Sequence, residues 1–354
     1  MRMNKSRLLG VTALVTLSAL FASPVTALET FKHVDTKSFD IGSTPNINIE
    51  AISGDVSFLG TEGSSTTVEI VIEIQAKNAA EADEIRSHLN LIVEGESGYL
   101  DVRMTESRDF YNWLRDEYSR HHHVSVGFHV TGPRGADGTV SSVSGNAAVE
   151  SAKGPIEVTS VSGDVLAIGI EQSVRASMTS GNVDVRRASG IVIAQSVSGD
   201  VTASECGGDL DIESTSGNVH AREVGGTVTA ETVSGDIETL GIAGAVSAES
   251  VSGSVWIENR EGSVQASTIS GDIDVQTQTV GDVELESLSG SVNLALEPQP
   301  FGEVYLSAPS GGIDSDLPIK IRRQSDGRLQ GTLGSGAARL RVTTDSGDIV
   351  LSGL

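Results

Sequence analysis

SVSGDVTASECGGDLDIESTSGNVHAREVGGTVTAETVSGDI, residues 196–237, holds three Ser-Gly pairs, at Gly199, Gly217 and Gly235, each eighteen residues after the last. The spacing extends in both directions. Ser-Gly recurs at Gly145, Gly163, Gly181, Gly199, Gly217, Gly235, Gly253 and Gly271 at a constant interval of 18, and Gly290 follows 19 later. A short fixed period kept over this many phases is the mark of a solenoid, in which one supersecondary unit stacks on its copies.

Each period splits into two similar halves, with a second glycine often nine residues after the first, as at Gly154, Gly190, Gly208, Gly226, Gly244 and Gly262. A small or apolar pair follows two and four residues behind each glycine: Val165 and Ala167, then Val174 and Ala176. Such alternation is a short β-strand with one buried face. Two strands per turn, separated by glycine-bearing corners, are therefore expected, with apolar offsets from the Ser-Gly glycine of −2, +2, +4, +11 and +13 and glycine chosen for corners that need φ > 0. Successive turns hydrogen-bond at about 4.8 Å, so nine turns make a rod of roughly 43 Å. No single turn can bury its own face, and the stack must be cooperative. The fold class expected is an all-β, single-stranded parallel β-solenoid, right-handed on general sheet chirality.

The residue after Ser-Gly alternates: Asn146, Asp164, Asn182, Asp200, Asn218, Asp236, Ser254, Asp272, Ser291. Carboxylates stacked in adjacent turns would repel by about 1 kcal/mol in water, and a neutral spacer doubles their separation. Asp164, Asp200, Asp236 and Asp272 are thus expected to form a structural turn ladder, capping corner N–H groups. One acid every second turn is too few oxygens for a calcium ladder.

Outside the repeat, residues 1–27 read as a secretory signal peptide, with basic Arg2, Lys5 and Arg7, an apolar Leu8–Phe21 run, and small residues ahead of a cut after Ala27. Its removal takes the net charge from −24 to −27, a surface that repels nucleic acid and anionic lipid. No later segment is apolar enough for a membrane span. Residues 28–138 are expected to form a cap containing a first turn around Ser53-Gly54-Asp55-Val56, a strand through Val68, Ile70, Ile72 and Ile74, and a short helix entered at Asn78 and Glu81 and carrying Ala82, Ile85 and Leu89. Strands near 90–95 and 98–104 follow, and another through Val124, Val126, Phe128 and Val130. The regular solenoid spans 139–297. Residues 298–354 break the period with prolines, return to it at Ser346-Gly347-Asp348-Ile349, and hold Lys320, Arg322, Arg323, Arg328, Arg339 and Arg341. The regular solenoid, by contrast, carries six Lys/Arg against 23 Asp/Glu.

Few residues invite chemistry. His121, His123 and His129 are candidate metal ligands, two of them on one face of the last cap strand. Tyr111 and Trp113, in an aromatic cluster with Phe110 and Tyr118, and the outward Trp256 are candidate contact residues. Cys206 is the lone thiol and forms no intramolecular disulfide. The regular turns have no insertions to build the cleft a glycosidase needs, and the apolar rhythm is nine, which excludes the hexapeptide repeat of acyltransferases. The mixed outward series Leu166, Asp184, Thr202, His220, Glu238, Trp256, Asp274 lacks the uniform array of an ice-binding face. No catalytic residue and no cofactor is expected; the alternative is a carbohydrate-active or metal-dependent enzyme sited at the aromatic and histidine-rich cap.

The repeated T/S-V-S-G-D-V/I turns, the HVTGPRGAD segment at 129–137 and the closing GSGAARLRVTTDSGDIVL at 334–351 resemble the bacterial "putative adhesin" β-strand-repeat family, a domain family of unknown function, over essentially the whole chain after residue 27. The resemblance implies a β-solenoid, export or surface display, and no established enzymatic activity; the localisation expected is the periplasm or the cell surface, and the partner expected is an unknown protein or glycan in the envelope.

Overall fold

The computed structural model describes residues 28–105, 110, 112–114, 122–278, 281–297 and 301–354; the expected signal peptide, Tyr111, Tyr118 and His121 lie outside the described residues. Within each eighteen-residue turn the alternating residues build one strand in each of two facing sheets. Val165–Ile168 belongs to the first sheet and Val174–Ser180 to the second. Each pairs in parallel with its copy one turn away. Val165 sits opposite Val183, and Val183 opposite Val201; Val174 sits opposite Val192, and Val192 opposite Leu210. Like side chains therefore stack in columns. The inward residues of both sheets, such as Val165, Ala167, Val174 and Ala176, are buried, and each Val removed from water contributes about 1.5–3 kcal/mol. Alanines at the second inward position of many strands, among them Ala167, Ala176, Ala194, Ala203, Ala221 and Ala230, keep the core thin, which explains how a chain with 4% aromatics fills it.

The apolar residue at offset −2 is not in the core. Val143, Val161, Val197, Val233, Val251, Ile269 and Leu288 are exposed, Val197 by 53%. The inward place goes to the preceding hydroxyl residue, as with Ser160, Ser196, Ser214, Thr232, Ser250, Thr268 and Ser287, all buried. Each donates its hydroxyl to a glycine carbonyl of the previous turn: Ser196 Oγ to Gly181 O at 3.1 Å, Ser214 Oγ to Gly199 O at 3.0 Å, Thr232 Oγ1 to Gly217 O at 3.1 Å. The Ser-Gly corner turns a carbonyl inward, and a buried carbonyl needs a donor more than the core needs another methyl group.

Strands are not stacked in chain order at the ends. The first turn, Asn46–Ser53 with Val56–Thr61, lies between the Asp137–Ser144 turn and a layer made by Tyr99–Met104 and Val124–Pro133. At the other end the last turn, Arg339–Ser346 with Ile349–Gly353, inserts between the Val283–Ser289 and Val292–Leu296 turn and the strands Glu303–Ser307 and Ile313–Ser315. Antiparallel strands close both ends: Glu29–Asp40 on Ser65–Ala76 and Leu91–Glu96 on Tyr99–Met104 at one, and the hairpin Lys320–Ser325 and Arg328–Thr332 at the other. Helix Ala79–Ser87 starts where Asn78 Oδ1 accepts Glu81 N–H at 3.0 Å and buries Ala82 and Ile85. No helix among the described residues is long and apolar enough to cross a membrane.

Candidate interaction surface

Stacking gives the outer surface its order, since any residue repeated every eighteen positions becomes a column about 4.8 Å per step. Three columns matter. The first follows the corner. Asn146 Oδ1 accepts Asp164 N–H at 2.8 Å, Asp164 Oδ1 accepts Asn182 N–H at 2.9 Å, and the relay continues through Asp200, Asn218 and Asp236 to Ser254. Asp272 Oδ1 accepts Ser291 N–H at 2.8 Å. Asp and Asn serve equally as acceptors, so the hydrogen bonds alone do not select between them. Alternation keeps the carboxylates two turns apart.

The second column is the exposed aliphatic one at offset −2, interrupted by Thr179 and Thr215. Beside it on the second sheet stand Glu213, Glu231 and Glu249, paired turn to turn without a spacer. Glutamates and aliphatics together flank a shallow groove of about 270 Å³. Partial burial, then Glu249, Glu213 and Asp211, push the Glu231 carboxyl above the usual carboxylate range. A carboxyl whose folded pKa is raised destabilises the fold at neutral pH, and the penalty disappears as pH falls and the group takes its proton. Glu231→Gln is therefore expected to raise stability by less than about 1 kcal/mol at pH 7, with the gain gone near pH 3; urea midpoints at the two pH values check this.

The third column, on the first sheet, runs Leu166, Asp184, Thr202, His220, Glu238, Trp256, Asp274, Asn293. Glu238 Oε2 accepts from Arg222 at 2.6 Å and from His220 Nδ1 at 3.0 Å. Arg222 above all, with His220, holds its carboxyl below the usual range against the effect of burial. Trp256 is 49% exposed between Glu238 and Asp274.

The remaining candidates lie at the cap and are scattered. His129 Nδ1 bonds Ser57 Oγ at 2.8 Å. His123 immediately precedes the same strand, which separates it from His129 by about 20 Å of extended backbone. Among the described residues no group of three metal-binding side chains converges. Trp113 stacks on His88 with ring centroids 3.9 Å apart and packs against the core. Cys206 is buried, and burial pushes its thiol up. A basic groove at the far end, formed by Arg322, Arg323, Arg339 and Arg341, escaped the sequence because its arginines meet only through the terminal hairpin.

No curated protein matches the chain. A solved "putative cell adhesion protein" from Clostridium sporogenes aligns over 92% of this chain and 100% of its own at 8% identity and a TM-score of 0.18. A "putative adhesin" from Parabacteroides merdae aligns over 74% and 95% at 16% identity and a TM-score of 0.34. Another from Parabacteroides distasonis aligns over 90% and 97% at 11% identity and a TM-score of 0.26. The family model described as Toastrack DUF4097 matches residues 207–352, the stretch that holds the regular turns from Leu210 onward and both strands of the inserted last turn. Over that stretch the chain is similar to the family described as Toastrack DUF4097.

Proposed function

We propose that the chain is an exported, non-catalytic β-solenoid of the bacterial envelope that holds a protein or glycan partner along its side. The observation that carries this is the column Val143, Val161, Val197, Val233, Val251, Ile269 and Leu288, exposed at one position of the turn and interrupted at Thr179 and Thr215. Isolated exposed aliphatics are ordinary; the unbroken run Val233, Val251, Ile269 and Leu288, flanked in part by Glu231 and Glu249, is what a contact surface looks like. Rigidity supports the same role. The side chains are fixed by strand register, so a partner meets a surface that is already ordered and loses little entropy on binding.

The test is the triple variant Val197→Gln, Val233→Gln and Val251→Gln. All three residues point outward, so the melting temperature is expected to stay within about 2 °C of the parent. Sedimentation with envelope fragments of the source bacterium is expected to fall at least about tenfold, since three desolvated aliphatics each contribute on the order of 1 kcal/mol. Undiminished binding removes the column from the partner surface. Export is checked separately, by sequencing the N-terminus of the protein recovered outside the cytoplasm for a start at Leu28.

A further inference from the structure

The outer face of the second sheet changes character at its C-terminal end. Along the regular solenoid its outward charges are acidic apart from Arg175; at the end, strands Lys320–Ser325 and Arg339–Ser346 bring guanidinium groups to one groove. Arg323 lies opposite Gln330, Gln330 opposite Tyr305, and Tyr305 opposite Arg341. Arg341 sits 5.4 Å from the centre of the Tyr305 ring. Arg339 and Arg322 flank the row, and Arg322 bonds Glu303 at 2.9 Å. The side chains enclose an open groove of about 560 Å³, within the usual size of a small-ligand site. Arg341 makes a long contact to Glu284 at 3.4 Å. Arg323 and Arg339 have no ion pair among the described residues.

We propose that this groove binds an acidic oligosaccharide, held by carboxylates on the guanidinium groups and by hydroxyls on the groups between them. Arg323 and Arg341 are separated by three strand spacings, about 14 Å. The positions between them carry Gln330 and Tyr305, neutral side chains that donate and accept hydrogen bonds. A ligand matching that row has anionic groups at intervals and hydroxyls in between. The planar guanidinium fork fits a carboxylate in two-point contact. The rest of the solenoid, with 23 acids against six bases over 139–297, repels the same ligand and so confines it to this end. An acidic peptide fits less well: its backbone would seek the free edge of strand Lys320–Ser325 rather than the face of the sheet. The proposal concerns a different surface from the aliphatic column and stands or falls apart from it.

The test is calorimetric titration of the full-length secreted protein with trigalacturonate, with maltotriose, hexaglutamate and inorganic phosphate as comparisons. Trigalacturonate is expected to bind with Kd below about 1 mM, and maltotriose at least about tenfold more weakly. Arg323→Gln and Arg339→Gln are each expected to weaken trigalacturonate at least about tenfold, with melting temperatures unchanged because both residues are exposed. Absence of trigalacturonate binding at about ten times that concentration overturns the proposal. So does binding indifferent to both substitutions. Hexaglutamate or phosphate binding as tightly as the trisaccharide overturns it too, in favour of a peptide or a bare anion.

Discussion

Gly199→Val is expected to lower the melting temperature by roughly 10 °C or more, if the protein folds at all. Two independent effects act at this corner. The backbone stands at φ 141°, a region that β-branched side chains avoid and that adds about 1–3 kcal/mol of strain. A Cβ there would also lie 2.0 Å from the carbonyl oxygen of Gly181 and 2.6 Å from its carbon. Those atoms are backbone of the neighbouring turn and have no rotamer to escape into. Relief requires the two turns to separate, and separation breaks the hydrogen bond from Gly181 N to Ser198 O, the one from Ser196 Oγ to Gly181 O, and that from Asp200 N to Asn182 Oδ1. In a linear stack, weakening one interface divides the rod, so the damage is not local. Gly207 provides the control. It also lies near its neighbouring turn, but an added Cβ would meet nothing nearer than 3.5 Å, so Gly207→Ala is expected to shift the melting temperature by no more than about 2 °C. Equal effects at the two positions, measured by thermal melts at one scan rate, would exclude close packing of corners as the cause.

Much of this fold is written in the period. Once Gly145, Gly163 and Gly181 are seen at eighteen-residue steps, the columns through Val165, Val183 and Val201 follow, because stacking aligns whatever repeats. The outward position of Val197 and its equivalents is also legible in the sequence. Offsets +11 and +13 face inward, so by strand alternation +15 does too; that is Ser196 in its turn, and Val197 falls outside. A Ser or Thr stands at that inward place in most turns. The ends were another matter. Nothing local indicates that Ile349 should lie beside Val292, or that Val56 should lie between Phe128 and Ala147. Such pairings depend on which edges remain open after the repeat has formed. The arginine groove shares this origin: Arg323 and Arg341 come to lie in one row only because the last turn inserts and the hairpin closes over the end.

Converting both Asn182 and Asn218 to Asp is expected to lower stability by about 2–4 kcal/mol at pH 7 and low salt. The substitution keeps size, shape and an acceptor oxygen for the N–H of the next turn, so the relay of 2.8–3.0 Å bonds from Asn146 to Ser254 can persist. Only charge changes. Where the parent has Asp164, Asp200 and Asp236 separated by neutral residues, the variant has five carboxylates in a row, with four new nearest-neighbour contacts at about 4.8 Å. Each is worth roughly 1 kcal/mol in water, reduced by salt and raised by the low-dielectric corner alongside. Repulsion raises the folded-state pKa values of the new aspartates above their unfolded values. The variant is therefore expected to regain stability relative to the parent as pH falls and these groups become protonated. Urea midpoints of both proteins across pH 4–8, at low salt and at about 1 M salt where the Debye length is about 3 Å, separate electrostatics from packing. A deficit that persists at high salt and at pH 4 would mean that Asn is required for its amide protons. Recovery under both conditions would show that the alternation exists to keep like charges apart. The paired Glu213, Glu231 and Glu249 are the natural counterpart: longer side chains on an open face can splay, so an unspaced acidic column is tolerated there, whereas the corner aspartates are each tied to a backbone N–H and cannot move away.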